Sequence, residues 1–109
     1  MTELLNNLRA VRAQITTPDR WTKGWFARDQ YGNECRSQDS TATCWCIMGA
    51  ITFVTPRDRK KLAIVKDVLS AHLPTWYCLS DFNDRPTTTH ADIIALIDRA
   101  IATEEKESV

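Results

Sequence analysis

No stretch of this sequence is apolar for the roughly 18 residues that a membrane-spanning helix needs. Its first residues, MTELLNNLRAVRAQ, are charged and amphipathic where a secretory leader would carry an apolar run, so the chain is expected to be cytoplasmic, away from membranes. An excess of one charge is missing too. The 14 Lys and Arg residues stand against 14 Asp and Glu residues, a formal net charge of +0, which argues against a broad electrostatic affinity for nucleic acid. Internal repeats and low-complexity segments are absent. Zinc-knuckle spacing, two to four residues between paired cysteines, is absent as well. In a reducing cytoplasm the even count of Cys35, Cys44, Cys46 and Cys78 is no evidence for disulfides.

What is present is enough to fold unaided. A chain of 109 residues, 43% hydrophobic and 26% charged, can bury a core without metal or disulfide, and is read as one compact domain over residues 1–109. Leu4, Leu5, Leu8, Val11 and Ile15 recur at spacings of three and four, which predicts an amphipathic helix over residues 2–16 that stops at Thr17-Pro18. Between Asp19 and Asp39, Gly24, Gly32 and a set of aromatic residues predict a short hairpin or ordered loop, with its turn at Tyr31-Gly32-Asn33. Asp39-Ser40-Thr41 offers N-caps for a buried central helix over 42–54. Thr55-Pro56 reads as the start of a helix to about His72, with Leu62, Val65, Leu69 and Leu73 inward, and Leu73-Pro74 stops it. Residues 75–87 read as a second aromatic loop. Thr89-His90-Ala91-Asp92 then reads as a capping box for a last helix with Ile93, Ile97, Ala100 and Ile101 inward and a tail fraying from about 104. The fold class is therefore mainly α, a bundle of about four helices with a small insertion after the first.

The segment TCWCIMGAITF carries the sharpest chemical question. On a regular helix Cys44 and Cys46 point about 200° apart, so they cannot share one ion, and Gly49 between apolar neighbours suits the close approach of another element. Buried free cysteines behave as small hydrophobes, which makes a core role the preferred reading. A zinc site assembled from Cys35, Cys78 and His72 or His90 is the weaker alternative, and no metal or cofactor is expected. A thiol enzyme would need Cys46 as nucleophile, His90 as base and Asn83 or Asp84 as orienter.

Two further blocks can bind. DFNDRPTTTH, residues 81–90, combines hydrogen-bond acceptors with aromatic surface beside Trp76 and Tyr77, although turn and cap residues that fix the entry angle of the last helix are the preferred reading. Arg57, Arg59, Lys60, Lys61 and Lys66 crowd the helix after Pro56, a patch that could contact phosphates or an acidic protein, although a solvated face is the plainer reading. The spacing of a helix-turn-helix is not evident.

Three blocks together resemble a family of small uncharacterised proteins from bacteria and their phages. They are Trp21, Gly24, Ala27, Arg28, Asp29 and Gly32; then the W-C-x-x-G-A block of Trp45, Cys46, Gly49 and Ala50; then Phe82, Asn83 and Asp84, with Phe82 where tryptophan is commoner. The resemblance spans nearly the whole chain and implies one compact domain but no activity. It also singles out Cys46 over Cys44 and draws Asn83 and Asp84 towards a shared structural or binding role. The preferred function is a non-enzymatic interaction module with a protein partner, bound through Trp21, Trp25, Tyr31, Trp76, Tyr77, Phe82, Asn83 and Asp84. In a phage setting such a module could inhibit or modulate a host system, as anti-CRISPR proteins do. The thiol enzyme or small-ligand protein and the nucleic-acid protein stand as alternatives.

Overall fold

The computed structural model describes residues 2–74 and 77–107, so Trp76 lies outside the described residues. Two long helices form one side of the molecule. α1 (Thr2–Gln14) buries Leu5, Leu8 and Val11, with Ile15 just beyond its end, on the stripe that their spacing dictates. α5 (His90–Glu107) presents Ile93, Leu96, Ile97 and Ala100 to the core. The two helices pack together, and Arg9–Glu105 and Arg12–Asp98, each at 2.6 Å, span the outside of the seam. Exposed pairs of this kind contribute about 0–1 kcal/mol, so the apolar seam carries the contact. α5 opens with the expected capping box: the Thr89 N–H donates to Asp92 Oδ2 at 2.9 Å and the Asp92 N–H to Thr89 Oγ1 at 3.2 Å. The Thr89 backbone bond, ahead of the hydroxyl, holds the Asp92 carboxyl below its usual range. The tail does not fray at 104; α5 continues to Glu107, and Glu104 is buried.

Against this pair lie three shorter helices and a small sheet. α2 (Ile47–Val54) packs on α1 and buries Ile47, Gly49, Ala50 and Ile51. α3 (Arg59–Ser70) adds Val65 and Leu69, and α4 (Leu79–Asp84) adds Leu79 and Asn83. A 3-10 turn at Pro18–Arg20 leads from α1 towards three antiparallel strands, β1 (Ala27–Asp29), β2 (Glu34–Cys35) and β3 (Ala42–Trp45), in the order β2-β1-β3. β1 and β2 form the expected hairpin, with Gly32 at φ 83 in its turn, a conformation that favours glycine. Asp29 fastens the turn by accepting from the Asn33 and Tyr31 N–H groups, and these bonds, that to Asn33 first, lower its carboxyl pKa. The fold is thus mainly helical with α+β character, and no described helix is long and apolar enough to cross a membrane.

Four expectations are corrected, the first by tertiary pairing and the others by local hydrogen bonds. Residues 42–45 are a strand and not the start of the central helix, because Ala27 pairs with Trp45 and Arg28 with Cys44. Asp39 fastens the turn ahead of β3, its Oδ1 accepting from the Thr41 N–H and Oγ1, instead of capping a helix. Thr55 closes α2, donating from Oγ1 to Ile51 O at 2.7 Å, while Asp58 caps α3 by accepting from the Lys61 N–H at 3.0 Å. Part of the expected aromatic loop, residues 79–84, is the helix α4, which makes five helices where about four were expected.

Gly49 shows how tightly the sheet and α2 meet. A Cβ at this position would stand 1.8 Å from the carbonyl oxygen of Phe26, the residue before β1, and the same carbonyl accepts the Cys46 N–H at 3.2 Å. Glycine is therefore required by space, and its helical cost of about 1 kcal/mol is small beside the contact it permits. Gly49→Ala is expected to lower stability by about 3 kcal/mol or more, at the upper end of overpacking losses, in urea unfolding followed by circular dichroism. An unchanged midpoint would mean that the β1 lead-in can move off α2.

Candidate functional site

The side chain of Asn83 lies at 0% exposure and uses both ends of its carboxamide. Its Oδ1 accepts from Trp21 Nε1 at 2.7 Å and from the Ile47 N–H at 3.0 Å. Its Nδ2 donates to Thr22 O at 3.1 Å and to Asp84 Oδ1 at 3.0 Å. Ile47 is the first residue of α2, so a side chain from α4 satisfies one of the donors that a helix start leaves open. Asp84 Oδ1 also accepts the Gly24 N–H at 2.9 Å. Arg28 closes the far side of this loop, donating from its guanidinium to Lys23 O at 3.1 Å and Gly32 O at 3.2 Å. The three sequence blocks thus meet in space, with Trp45 and Trp21 paired by an isolated parallel bridge. These contacts tie the three blocks into one knot.

Beside the knot lies an open groove of about 840 Å³. Its apolar surface comes from Trp25, 48% exposed, and Phe26, 46% exposed, the residues that lead into β1. The turn after β2 supplies Arg36, Ser37 and Gln38; α2 supplies Cys46 and Thr52; Arg57 enters from the α2–α3 connection, and Ser80 and Asp84 from α4. Gln38 Nε2 donates to the carbonyls of Thr52 at 3.0 Å and Phe53 at 3.2 Å, which ties the turn to the end of α2. Trp45 Nε1 adds a bond to Ser37 O at 3.0 Å. Ser37 Oγ is buried without a hydrogen-bond partner. Arg57 has φ 58, a left-handed conformation that costs a non-glycine residue about 1–2 kcal/mol. Phe26 was read only as part of an aromatic loop. Arg36, Ser37, Gln38 and Ser80 carried no sequence signal, since they come from separated segments with no periodicity.

The cysteine chemistry takes a defined form. Cys46 caps α2: its Sγ accepts the Gly49 N–H at 3.2 Å, and burial pushes its thiol pKa up while that bond offsets part of the rise. Cys44 lies on β3 with Sγ 3.8 Å from Arg28 O. His90 Nε2 lies 2.7 Å from Ile15 O and its ring 6.0 Å from that of Trp21, so its described contacts go to α1 and the knot and not to Cys46. Asp84 likewise bonds Gly24 and Asn83. Among the described hydrogen bonds, none joins Cys46 to His90 or to Asp84. Cys35 is half-buried on β2 and Cys78 is exposed ahead of α4. Among the described residues no three His, Cys, Asp or Glu side chains converge as metal ligands.

The other sequence candidates separate. Tyr31 stands at the hairpin tip, 80% exposed, whereas Tyr77 and Phe82 are half-buried against the core with ring centroids 6.3 Å apart, and the Arg85 guanidinium lies 4.9 Å from the Tyr77 ring centroid. In the basic segment Lys61 turns to Glu3 of α1 at 2.8 Å, Arg57 sits outside α3, and Arg59, Lys60 and Lys66 are exposed.

The model of one family, described as a family of unknown function (DUF6197), matches residues 1–103. No curated protein and no solved structure matches the chain.

Asn83→Ala leaves the Trp21 and Ile47 donors and the Thr22 carbonyl without their partner, and is expected to lower stability by about 3 kcal/mol or more in urea unfolding. A loss below about 1 kcal/mol would show that water replaces the amide. In native-state alkylation followed by mass spectrometry, the exposed Cys78 should label first and Cys46 last, because a buried thiol held protonated is a poor nucleophile. Labelling at Cys46 ahead of Cys78 at neutral pH would instead place a reactive thiolate beside the groove.

Proposed function

The chain belongs to this family of unknown function, and we propose that it is a non-enzymatic binding module whose ligand occupies the groove beside Trp25 and Phe26. The observation that carries the reading is the pairing of two half-exposed aromatic side chains with a concavity of about 840 Å³ whose walls are pinned by Gln38 and Asp84. Volumes of about 300–1,000 Å³, lined by aromatic residues with a few placed polar groups, are typical of small-molecule sites. Catalysis is the weaker reading because Cys46, the nearest nucleophile, serves as a helix cap and its pKa is raised. The knot of Asn83, Asp84 and Trp21 then acts as the frame of the groove, with no part in chemistry.

A protein partner, including the host system that a phage-encoded modulator would target, is the second reading. Tyr31 favours it, since an 80% exposed tyrosine at a hairpin tip adds nothing to the core and suits an interface.

The groove reading is tested with a neutral apolar fluorophore, pyrenebutanol, titrated against the protein. Trp25→Ala should weaken its binding about tenfold, the effect expected from removing a large aromatic wall. Saturable binding that is unchanged by Trp25→Ala would move the ligand site away from the groove.

A further inference from the structure

The groove's polar lining has a composition of its own, distinct from that of the knot. Two arginines, Arg36 and Arg57, line it from segments 21 residues apart in sequence, and Asp84 is the one acidic residue on that lining. Among the described residues neither guanidinium donates a hydrogen bond or forms an ion pair within the chain, although Arg36 lies close enough to Asp39 to help lower its carboxyl pKa, behind the two Thr41 hydrogen bonds. Arg28, Arg9 and Arg12, by contrast, all have acceptors. Asp84 is already engaged by the Gly24 N–H and Asn83 Nδ2, so it is held as part of the frame.

Ser37, whose buried hydroxyl has no partner, lines the same groove. Arg57 keeps a left-handed backbone where glycine would be relaxed, and strained residues of this kind cluster at ligand clamps. Gln38 holds the turn bearing Arg36 to the end of α2, a few residues ahead of Arg57, so the two cations are presented by linked segments.

We propose that the groove takes a small organic anion, an apolar planar body seated on Trp25 and Phe26 with its carboxylate received by Arg36 and Arg57. This rests on the groove being the binding site. Guanidinium groups suit the task because their planar fork matches a carboxylate and keeps its charge at every physiological pH. Phe26 is fixed for this role by the bond from its carbonyl to the Cys46 N–H, which holds the β1 lead-in against α2 while its ring stays half-exposed.

The experiment compares pyrenebutyrate with pyrenebutanol, which share the aromatic body and differ in the carboxylate. Fluorescence titrations at low ionic strength are made on the wild-type chain, on Trp25→Ala, and on a double variant with Arg36→Gln and Arg57→Gln. Circular dichroism confirms that each variant is folded. The wild-type chain should bind pyrenebutyrate about tenfold more tightly than the alcohol, the scale of a charge-assisted pair at a partly exposed site. The double variant should lose that preference, the ratio of its two affinities falling to about one whatever change both probes share, and Trp25→Ala should weaken both probes. Equal wild-type affinity for the two probes, with both sensitive to Trp25→Ala, would overturn the anion inference and leave the groove reading standing. A carboxylate preference that survives in the double variant would overturn it as well, by placing the anion elsewhere. Binding of neither probe, or binding indifferent to Trp25→Ala, would sink the groove reading and the inference together.

Discussion

One buried carboxamide holds this molecule's parts in register. Asn83 lies inside, and a primary amide there must find partners for a carbonyl and two N–H groups or impose a penalty of about 1–3 kcal/mol for each group left open. It finds them in the Trp21 indole, the Thr22 carbonyl, the Asp84 carboxylate and the N–H that begins α2. Because amide geometry is directional, the four partners can be satisfied together only when α4, α2 and the loop after the 3-10 turn take one relative position. Apolar packing, as in the seam between α1 and α5, is non-directional and tolerates small shifts, so it is the amide that specifies the arrangement.

The groove exists because of that specification. Asp84, next in sequence to Asn83, catches the Gly24 N–H and sets the path of the chain into Trp25 and Phe26. The bare backbone of Gly49 lets α2 lie against the Phe26 carbonyl, which accepts the Cys46 N–H. With Phe26 held by its main chain, its ring and that of Trp25 need not enter the core, and they remain at the surface beside α2. Gln38 builds the other wall by reaching the carbonyls at the end of α2, where a helix lacks intrahelical donors. The same framework explains the cysteines: a thiol that caps a helix in a buried corner gives packing and a hydrogen bond, and the low dielectric around it disfavours the thiolate.

The legible parts of the fold were those written in local chemistry. Leu5, Leu8, Val11 and Ile15 marked α1, Thr89 and Asp92 marked the start of α5, and Tyr31-Gly32-Asn33 marked the hairpin turn, each because a helical stripe, a capping box or a glycine turn is a short-range device. The strand Ala42–Trp45 was hidden because four residues at the head of an apolar run fit a helix as well as a strand, and pairing with Ala27 and Arg28 decided the matter. Thr55 and Asp58 were both credible caps within one short connection, and the left-handed backbone at Arg57 separated their roles. For the candidate site, Trp25, Cys46 and Asp84 could be named from residue type, and a core place for Cys46 was the preferred reading; that Cys46 caps α2 and that Asp84 accepts the Gly24 N–H needed tertiary contacts, while Arg36, Ser37 and Gln38 had no motif to announce them.

What the amino-acid sequence determined by itself is a mainly helical chain with amphipathic outer helices, an apolar centre around residues 42–54 and three short blocks of unusual residues. Periodicity and capping are properties of neighbouring residues, so they survive without knowledge of the fold. Only tertiary structure decided that the three blocks converge on Asn83, that Gly49 meets the Phe26 carbonyl and that Arg36 and Arg57 border one groove. Those relations join residues far apart in the chain. They follow from the packing of helices of particular lengths around one buried amide, a geometric outcome that no local pattern encodes.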